Sequence, residues 1–403
     1  MLAKAGQLVG IVDAKLVESA DLSERDWCGS NLGGVNMLWK RAVAGLALAS
    51  FLALGAGSVS AHAGGGGGAH WSVVASGLDN PRDLVWSGGK LYVAESGHGG
   101  GHCAPDGTCV GLTGKISWIN LRQHESEPVV RHLGSVSDKT GAFALGPAGV
   151  SASEGRIYGI VSAARDFIPH GAFPAWLERG LKRTLGHLIV ARPNGWSDSV
   201  ADVGHHDFVW TANHPNLVPG QFPDANPYGV FAAGGRTQWV VDAGANTIDR
   251  VRNGHVQVVK FIPNPPVASD AVPTCIDRGR DGALYIGQLT GDGNPAGSAN
   301  VYRFDPKTRQ LRVWASGLSL ITGCGFDSEG HFIAVEISAS GDYAPNSGAV
   351  VRVPAHSTTP VTIVGGLDYP GGFAAGHNGS IYISNGSVNP TSSGGGQVIR
   401  ITQ

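Results

Sequence analysis

The sequence has no excess of charge of either sign. Its 29 lysine and arginine residues are balanced by 31 aspartate and glutamate residues, which gives a formal net charge of -2. A chain without a basic surplus lacks the electrostatic attraction that draws proteins to nucleic acids or to anionic membranes. We therefore expect no nucleic-acid partner, and no membrane partner once an N-terminal leader has been removed.

The motifs of several common enzyme classes are also missing. The sequence contains no GxSxG elbow, no HExxH pair and no glycine-rich P-loop. It therefore does not match serine hydrolases of the α/β type, zincins or P-loop nucleotide-binding proteins. With 42% hydrophobic residues among 403 positions, the chain is nevertheless long and apolar enough to form a globular core.

Methionine is scarce, and the second of only two, Met37, stands just before a basic pair and an apolar run over residues 42–57. Small residues at 61–63 follow at the positions that a signal peptidase reads. The apolar run is short for a membrane span. The expected division is a doubtful extension over 1–36, a signal peptide over 37–63, a glycine-rich linker over 64–70 and a folded domain over 71–403. The protein is therefore expected to be secreted or periplasmic.

Cysteine is also rare, with five residues, of which one lies in the doubtful extension. The other four form an even set, namely Cys103, Cys109, Cys275 and Cys324. An exported chain meets oxidising conditions, so two disulfides are predicted. Cys103 and Cys109 could close a small loop. Cys275 and Cys324 would join successive repeats, with two buried free thiols as the alternative.

A short strand-like motif recurs six times. It reads LYVAE from Leu91, and its relatives begin at Ile157, Gln238, Leu284, Phe332 and Ile381. The last four copies are spaced by about 46 to 49 residues, a period that is typical of propeller blades. The 62 glycines fit many short strands joined by turns.

The flanking sequences complete a repeat of four strands. The first run of the domain, WSVVASGL from Trp71, matches the fourth strands that end at Leu318 and Leu367, whereas the last repeat has only three strands before the C-terminus. We predict an all-β, six-bladed propeller with four-stranded blades, whose ring is closed by the N-terminal strand completing the last blade. Residues 170–185 are predicted to be a helical insertion.

Polar residues are expected to gather at one rim of this ring. In a propeller, the start of each innermost strand and the end of each second strand share a rim, and long loops follow the second strands here. The candidate ligand-binding residues at this mouth of the channel are Asp83, Glu95, Tyr228, Asp242, Gln288, Glu336 and Asn385. The alternative interpretation is that these groups cap strand ends and bond to loop backbone.

Three of these residues, Glu95, Asp242 and Glu336, also suggest a divalent metal site. Hard oxygen ligands suit Ca²⁺, so calcium is the cofactor that this set would favour, although no motif requires a cofactor. His205 and His206 precede Asp207, but adjacent residues of a strand point to opposite faces. That cluster is therefore assigned to the surface.

Several runs resemble the ScyD/ScyE family, secreted propellers named for clusters that make the sunscreen pigment scytonemin. They are DANPYGV from Asp224, VVDAGANTIDRV from Val240, VPTCIDRGRDGALYIGQLTG from Val272 and VYRFDP from Val301. The likeness covers roughly residues 71–403. It implies an exported six-bladed propeller and little specific chemistry. More distantly the chain is similar to NHL, gluconolactonase and regucalcin propellers, but its innermost strands do not show the metal-ligand set of the last two.

Three hypotheses about function remain. The first is an exported binding propeller that recognises a small molecule or an extracellular partner at the mouth of its channel. The second is a metal-dependent hydrolase or lactonase in which Glu95, Asp242 and Glu336 would hold the ion. The third is an enzyme acting on aromatic small molecules, by association with the family. A monomer is expected in each case.

Overall fold

The chain forms a six-bladed β-propeller. The computed structural model describes residues 70–192, 194–217, 222–263, 270–291 and 295–402; the predicted leader lies outside the described residues. Six antiparallel sheets form the blades. Their innermost strands contact one another in cyclic order, which closes the ring around a central channel. The predicted architecture is confirmed.

The strands are numbered in chain order. The sixth blade begins with β1 (His70–Leu78). Blade 1 contains β2 (Pro81–Ser87), β3 (Lys90–Glu95), β4 (His102–Cys103), β5 (Cys109–Asn120) and β6 (Glu125–Ser137). Blade 2 contains β7 (Pro147–Ser153), β8 (Arg156–Val161), β9 (His187–Ala191) and β10 (Ser197–Asp202). Blade 3 contains β11 (Pro227–Gly234), β12 (Thr237–Asp242), β13 (Thr247–Arg252) and β14 (His255–Phe261).

The remaining blades follow the same order. Blade 4 contains β15 (Pro273–Arg278), β16 (Leu284–Gln288), β17 (Ala299–Phe304) and β18 (Leu311–Leu318). Blade 5 contains β19 (Ile321–Phe326), β20 (Phe332–Glu336), β21 (Gly348–Val353) and β22 (Val361–Leu367). Blade 6 contains β23 (Phe373–Ala375), β24 (Ile381–Asn385) and β25 (Gly396–Thr402), completed by β1.

The N-terminal strand closes the ring as predicted. β1 pairs antiparallel with β25, with Trp71 opposite Ile401, and the order of the sixth sheet is β1-β25-β24-β23. The side chain of Ser384 adds a second link, because its Oγ donates to the carbonyl oxygen of Arg82 in blade 1 at 2.6 Å. Blade 1 differs from the prediction by one small extra strand, β4, which pairs with β5.

All six copies of the repeated motif are second strands. Each second strand lies between two neighbouring blades, so both of its faces are covered and its residues form a continuous apolar run. Every residue of β20 is buried, for example, whereas the outer strand β22 is largely exposed. The largest fully buried side chains include Phe304 and Phe332, which belong to the cores between blades.

Glycines allow the innermost strands to approach closely. A Cβ atom at Gly229 would lie 2.7 Å from the carbonyl oxygen of Thr274 in the next blade, and one at Gly372 would lie 2.4 Å from the Cα of Asp83. Neither partner atom belongs to a flexible side chain that could move away. The narrow wall of the channel therefore depends on glycine at these positions.

Two disulfides are present, as predicted. Cys103 is bonded to Cys109 within a loop of blade 1, and Cys275 is bonded to Cys324 across the innermost strands of blades 4 and 5. The second bridge joins positions that are 49 residues apart in sequence. The cross-link therefore connects two successive repeats at the wall of the channel.

In the described part of the chain, two α-helices interrupt the strands. α1 (Ala175–Lys182) lies within the predicted helical insertion. α2 (Val203–Ala212) contains His205 and His206, so placing these histidines on a strand was wrong. Asp202 caps α2, because its side chain accepts a hydrogen bond from the amide of His205 at 3.0 Å. Neither helix, nor any other in the described part of the chain, is long and apolar enough to cross a membrane.

Candidate functional site at the channel

In five blades the end of the second strand meets the start of the innermost strand, and four of these strand ends are polar. Glu95 lies opposite Pro81, Asp242 opposite Pro227, Gln288 opposite Pro273, Glu336 opposite Ile321 and Val161 opposite Pro147 in the strand registers. The end of each second strand therefore meets the start of the innermost strand at one end of the channel. We call this side of the propeller the upper face and the opposite side the lower face.

Three carboxylates on the upper face accept hydrogen bonds from the segments that lead into their own blades. Glu95 accepts a hydrogen bond from the amide of Asp79 at 2.8 Å, and Glu336 accepts one from the amide of Ser319 at 2.7 Å. In blade 3, Asp242 accepts from the amides of Asn226, Gly244 and Ala245 at 2.7–2.8 Å. The fold buries these loop amides away from water, so each carboxylate supplies the hydrogen-bond acceptor that water would otherwise provide.

The environments of the two glutamates differ. Glu95 is fully buried, and its Oε1 accepts from the hydroxyl of Ser117 at 2.5 Å while Lys115 lies 3.1 Å from Oε2. Burial raises the pKa of Glu95, with Lys115 opposing the shift. Burial raises the pKa of Glu336 to about 7, against the effect of the Ser319 amide. Glu336 is therefore protonated in part near neutral pH.

The other predicted residues make different contacts. Gln288 accepts from the backbone and side-chain amides of Asn300 at 3.0 and 3.1 Å. Tyr228 is buried on β11 in an apolar cluster, and Asn385 ends β24 in a recess between blades 5 and 6. In the part of the chain that the structure describes, no three His, Cys, Asp or Glu side chains are grouped to hold a metal ion. A calcium site remains a prediction.

A cluster of buried acids that the sequence analysis missed lies beside Asp242. Asp207 on α2 and Asp249 on β13 are both fully buried next to it, so the assignment of Asp207 to the surface was wrong. The pKa of Asp207 is raised well above its usual value by burial and then by the charge of Asp242. The pKa of Asp249 is raised by burial and then by Asp207, and that of Asp242 is raised by burial to about 6. These carboxyl groups therefore retain protons at a pH where exposed aspartates are ionised.

Apolar side chains from four blades form one cluster at the upper end of the channel. We call this set the apolar collar; it consists of Ala148, Tyr228, Ala243, Val272, Leu289, Leu320 and Ile337, with Tyr343 and Tyr369 packed against it. The two tyrosines are only half-buried. The hydroxyl of Tyr369 donates to the carbonyl oxygen of Tyr343 at 2.8 Å, and its ring meets Phe143 edge to face. The collar thus presents partly exposed aromatic rings at the mouth.

Four of the non-glycine residues with positive φ angles, Val272, Leu320, Tyr343 and Tyr369, lie in or against the collar, and the others are spread over the rest of the described chain. Val272, Leu320 and Tyr369 stand just before the chain enters blades 4, 5 and 6, and their φ angles are +49°, +39° and +43°. Residues with side chains rarely adopt this left-handed conformation, least of all a β-branched valine, and each instance costs about 1–3 kcal/mol. Such outliers cluster at sites where function fixes the position of a side chain.

A separate cavity of about 170 Å³ occupies the lower half of the channel. Its wall includes Asp83, Asp277 and Cys324. Asp83 accepts from the amide of Val150 at 3.1 Å, and Asp277 accepts from the amide of Phe326 at 2.9 Å. Each carboxylate therefore bonds to the innermost strand of the following blade. Asp83 was expected at the upper mouth, but the register places it in this lower cavity.

The two aspartates in the lower cavity have raised pKa values. Burial raises the pKa of Asp83 to about 7, opposed by the Val150 amide and increased further by the charge of Asp277. Burial raises the pKa of Asp277 to about 6 against the amide of Phe326. Carboxyl groups with such values can exchange protons near neutral pH. Asp277 was not singled out from the sequence, although it lies in the run from Val272 that carries part of the family resemblance.

Comparison with known proteins supports the fold. No family model matches the chain, and no curated protein matches it in sequence. A gluconolactonase from Xanthomonas campestris is similar in structure, with a TM-score of 0.51, 9% identity and coverage of 83% of this chain and 89% of that one. A streptogramin B lyase (TM-score 0.43, 12% identity, 83% and 97% coverage) and a luciferin-regenerating enzyme (0.44, 12%, 83% and 96%) also match. At these identities the likeness to the gluconolactonase shows the fold alone.

Proposed function

We propose that this protein is an exported propeller of the ScyD/ScyE type that binds a small molecule with an apolar or aromatic part at the upper mouth of its channel. The strained residues of the collar carry this proposal. Val272 and Leu320 aim buried apolar side chains into the mouth from backbone conformations that cost free energy. A structure that only needed a turn at these positions could use glycine.

The composition of the mouth supports this class of ligand. Tyr228, Tyr343 and Tyr369 offer flat apolar rings with a hydroxyl at one edge, which suits a ligand that has both an aromatic face and a polar group. Tyr343 and Tyr369 cover the collar and are half-exposed, so they are the side chains that a ligand would contact first. Export is proposed from the leader sequence, and the two disulfides fit an oxidising compartment.

The test is a thermal-shift screen with a library of aromatic and aliphatic carboxylic acids, phenols and lactones. A ligand that binds the folded state raises the melting temperature, and a tighter ligand raises it more at the same concentration. We expect hits with the wild type that disappear in Tyr369→Gly, which removes the ring without adding backbone strain. Trp196→Ala is the matched control, because Trp196 is an exposed aromatic residue in a hairpin of blade 2. Hits that are equally strong in Tyr369→Gly would contradict the proposal.

A hydrolase acting in the lower cavity is the second candidate. Asp83 and Asp277 face the same cavity with pKa values raised to about 7 and about 6, which is the range of a general acid and base. Hydrolysis of a lactone or ester that is lost in both Asp83→Asn and Asp277→Asn would support it. Activity that disappears on chelation and returns with Ca²⁺ would instead favour a metal-dependent reaction.

A further inference from the structure

A recess between blades 5 and 6 lies away from the channel axis. It has a volume of about 580 Å³, and we call it the blade groove. Blade 6 contributes Trp71, Asn385 and Gln397 to its lining, while the chain on the side of blade 5 contributes Asn346 and Asp368. The groove is thus lined by four amide side chains, one carboxylate, one indole ring and one leucine, together with four glycines.

Asn385 lies in the wall of this groove and has an unused hydrogen-bond acceptor. The residue is only 9% exposed, and its Oδ1 is buried without a hydrogen-bond partner. A buried carbonyl oxygen without a donor is unfavourable, so most such atoms in folded proteins are bonded. Gln397 lies directly opposite Asn385 in the register of β24 and β25. The two amides therefore stand side by side on the wall formed by blade 6.

The chemistry of the groove favours a ligand rich in hydroxyl groups. An amide side chain both donates and accepts hydrogen bonds, as a hydroxyl does, so the two types of group match in pairs. Among the described residues of the lining there is no Lys, Arg or His, and Asp368 already accepts from the amide of Asn389 at 3.1 Å. An anionic ligand would find no cation in this lining.

Trp71 supplies the apolar part of the groove. Its ring is half-buried against the core of blades 5 and 6, so it is held in place while part of its face remains accessible. A rigid aromatic face beside polar groups suits a ligand that has an apolar face and hydroxyls at its edge. A pyranose ring has this combination of features.

We propose that the blade groove binds a neutral saccharide, with one sugar ring against Trp71 and hydroxyl groups bonded to Asn385 and Gln397. The site is separate from the apolar collar and does not depend on the function proposed for it. Asn385, which the sequence placed at the channel mouth, is assigned to the groove instead. An exported propeller with this site would attach to neutral glycans outside the cell.

The test is saturation-transfer NMR on the full-length protein with neutral tetrasaccharides of glucose, mannose, galactose and N-acetylglucosamine, and with tetragalacturonate as the anionic control. We expect at least one neutral saccharide to bind and its affinity to fall by about tenfold or more in Asn385→Leu and Trp71→Leu. Trp196→Leu and Tyr369→Gly should bind like the wild type. The last variant separates this site from the collar.

The melting temperature distinguishes binding from a structural role. Asn385→Leu replaces an amide whose Oδ1 is buried and unbonded with an apolar group of similar size, so we expect its melting temperature to be equal to that of the wild type or higher. If Trp71→Leu or Asn385→Leu fails to fold, Trp71→Phe and Gln397→Leu take their place. No binding of any neutral saccharide at millimolar concentration, stronger binding of tetragalacturonate, or wild-type affinity in the groove variants would each overturn the proposal.

Discussion

The carboxylate of Glu336 accepts a hydrogen bond from the amide of Ser319 at 2.7 Å, and this contact ties the end of a second strand to the segment that enters the same blade. Glu95 and Asp242 make the corresponding contact in two other blades, with the amides of Asp79 and Asn226. These acids therefore hold the loops of the upper face in position through hydrogen bonds from the loop amides. Their common role explains why a repeated apolar strand ends in an acid in three of the six blades.

Removal of this contact should destabilise the protein. Glu336→Ala leaves the amide of Ser319 without its partner in a buried loop, so we expect the free energy of unfolding to fall by about 1–3 kcal/mol. Glu336→Gln keeps a hydrogen-bond acceptor, so we expect it to lower the free energy of unfolding by less than Glu336→Ala does. Urea denaturation measures both effects. Glu329→Ala is the control, because Glu329 is 74% exposed and its ion pair with His331 lies at the surface. Equal losses in Glu336→Ala and Glu329→Ala would show that the contact is unimportant.

The lower cavity should make stability depend on pH. Burial raises the pKa of Asp83 from 3.8 to about 7, so the folded protein binds this proton more tightly than the unfolded chain does. The resulting stabilisation is present at pH values below about 4 and is lost as the pH rises to about 7. Asp277, with a pKa of about 6, acts in the same direction.

Asp83→Asn removes one of these groups while preserving its size. We expect the decline of the unfolding free energy between about pH 4 and pH 7 to become flatter in this variant, measured by urea denaturation at a series of pH values. Asp305→Asn is the control, because the Lys307 amide holds the pKa of this surface aspartate below its usual value. An unchanged slope in Asp83→Asn would mean that Asp83 is ionised in the folded protein over the whole range.

The fold could be predicted because its signals are local and repeated. Each copy of the motif that begins at Leu91 is an apolar strand, and the match between the first run and the fourth strands of other repeats placed β1 in the last blade. The helix that contains His205 was missed because a short apolar segment does not separate helix from strand by pattern alone. The capping residue Asp202 was the available signal for its start.

The positions of site residues were harder to predict. Asp83 lies in blade 1 and Asp277 in blade 4, and only the closed ring brings them to one cavity. Asp242 was recognised as a strand-end acid, but the neighbouring Asp207 comes from α2, whose packing the sequence does not specify. Strand register decides which end of the channel a residue faces, and one bulge is enough to move it.

Backbone strain at Tyr369 can be measured with a pair of variants. Tyr369→Gly and Tyr369→Ala both remove the ring, but only glycine adopts a φ of +43° without strain. We expect Tyr369→Gly to be more stable than Tyr369→Ala by about 1 kcal/mol in urea denaturation. At Ala375, an ordinary position in β23, we expect Ala375→Gly to be less stable than the wild-type alanine. Equal stability of the two Tyr369 variants would remove the argument that the collar stores strain.

The two disulfides should contribute unequally to stability. In the chain-entropy account, the bridge between Cys275 and Cys324, which are 49 residues apart, stabilises by about 4 kcal/mol, and the bridge between Cys103 and Cys109, which are 6 apart, by about 2 kcal/mol. Replacing both cysteines of each pair with serine and measuring urea denaturation tests this order. A larger loss from the Cys103 and Cys109 pair would contradict it.

Ligand recognition at the apolar collar is tested most directly by hydrogen exchange. A compound identified by thermal shift should be added to the wild-type protein, and amide protection should be compared across the chain. The account predicts slower exchange in residues 338–347 and 366–372, which carry Tyr343 and Tyr369 over the collar. Protection confined to the lower-face hairpins, residues 87–90 and 278–283, with no change around Tyr369, would contradict it.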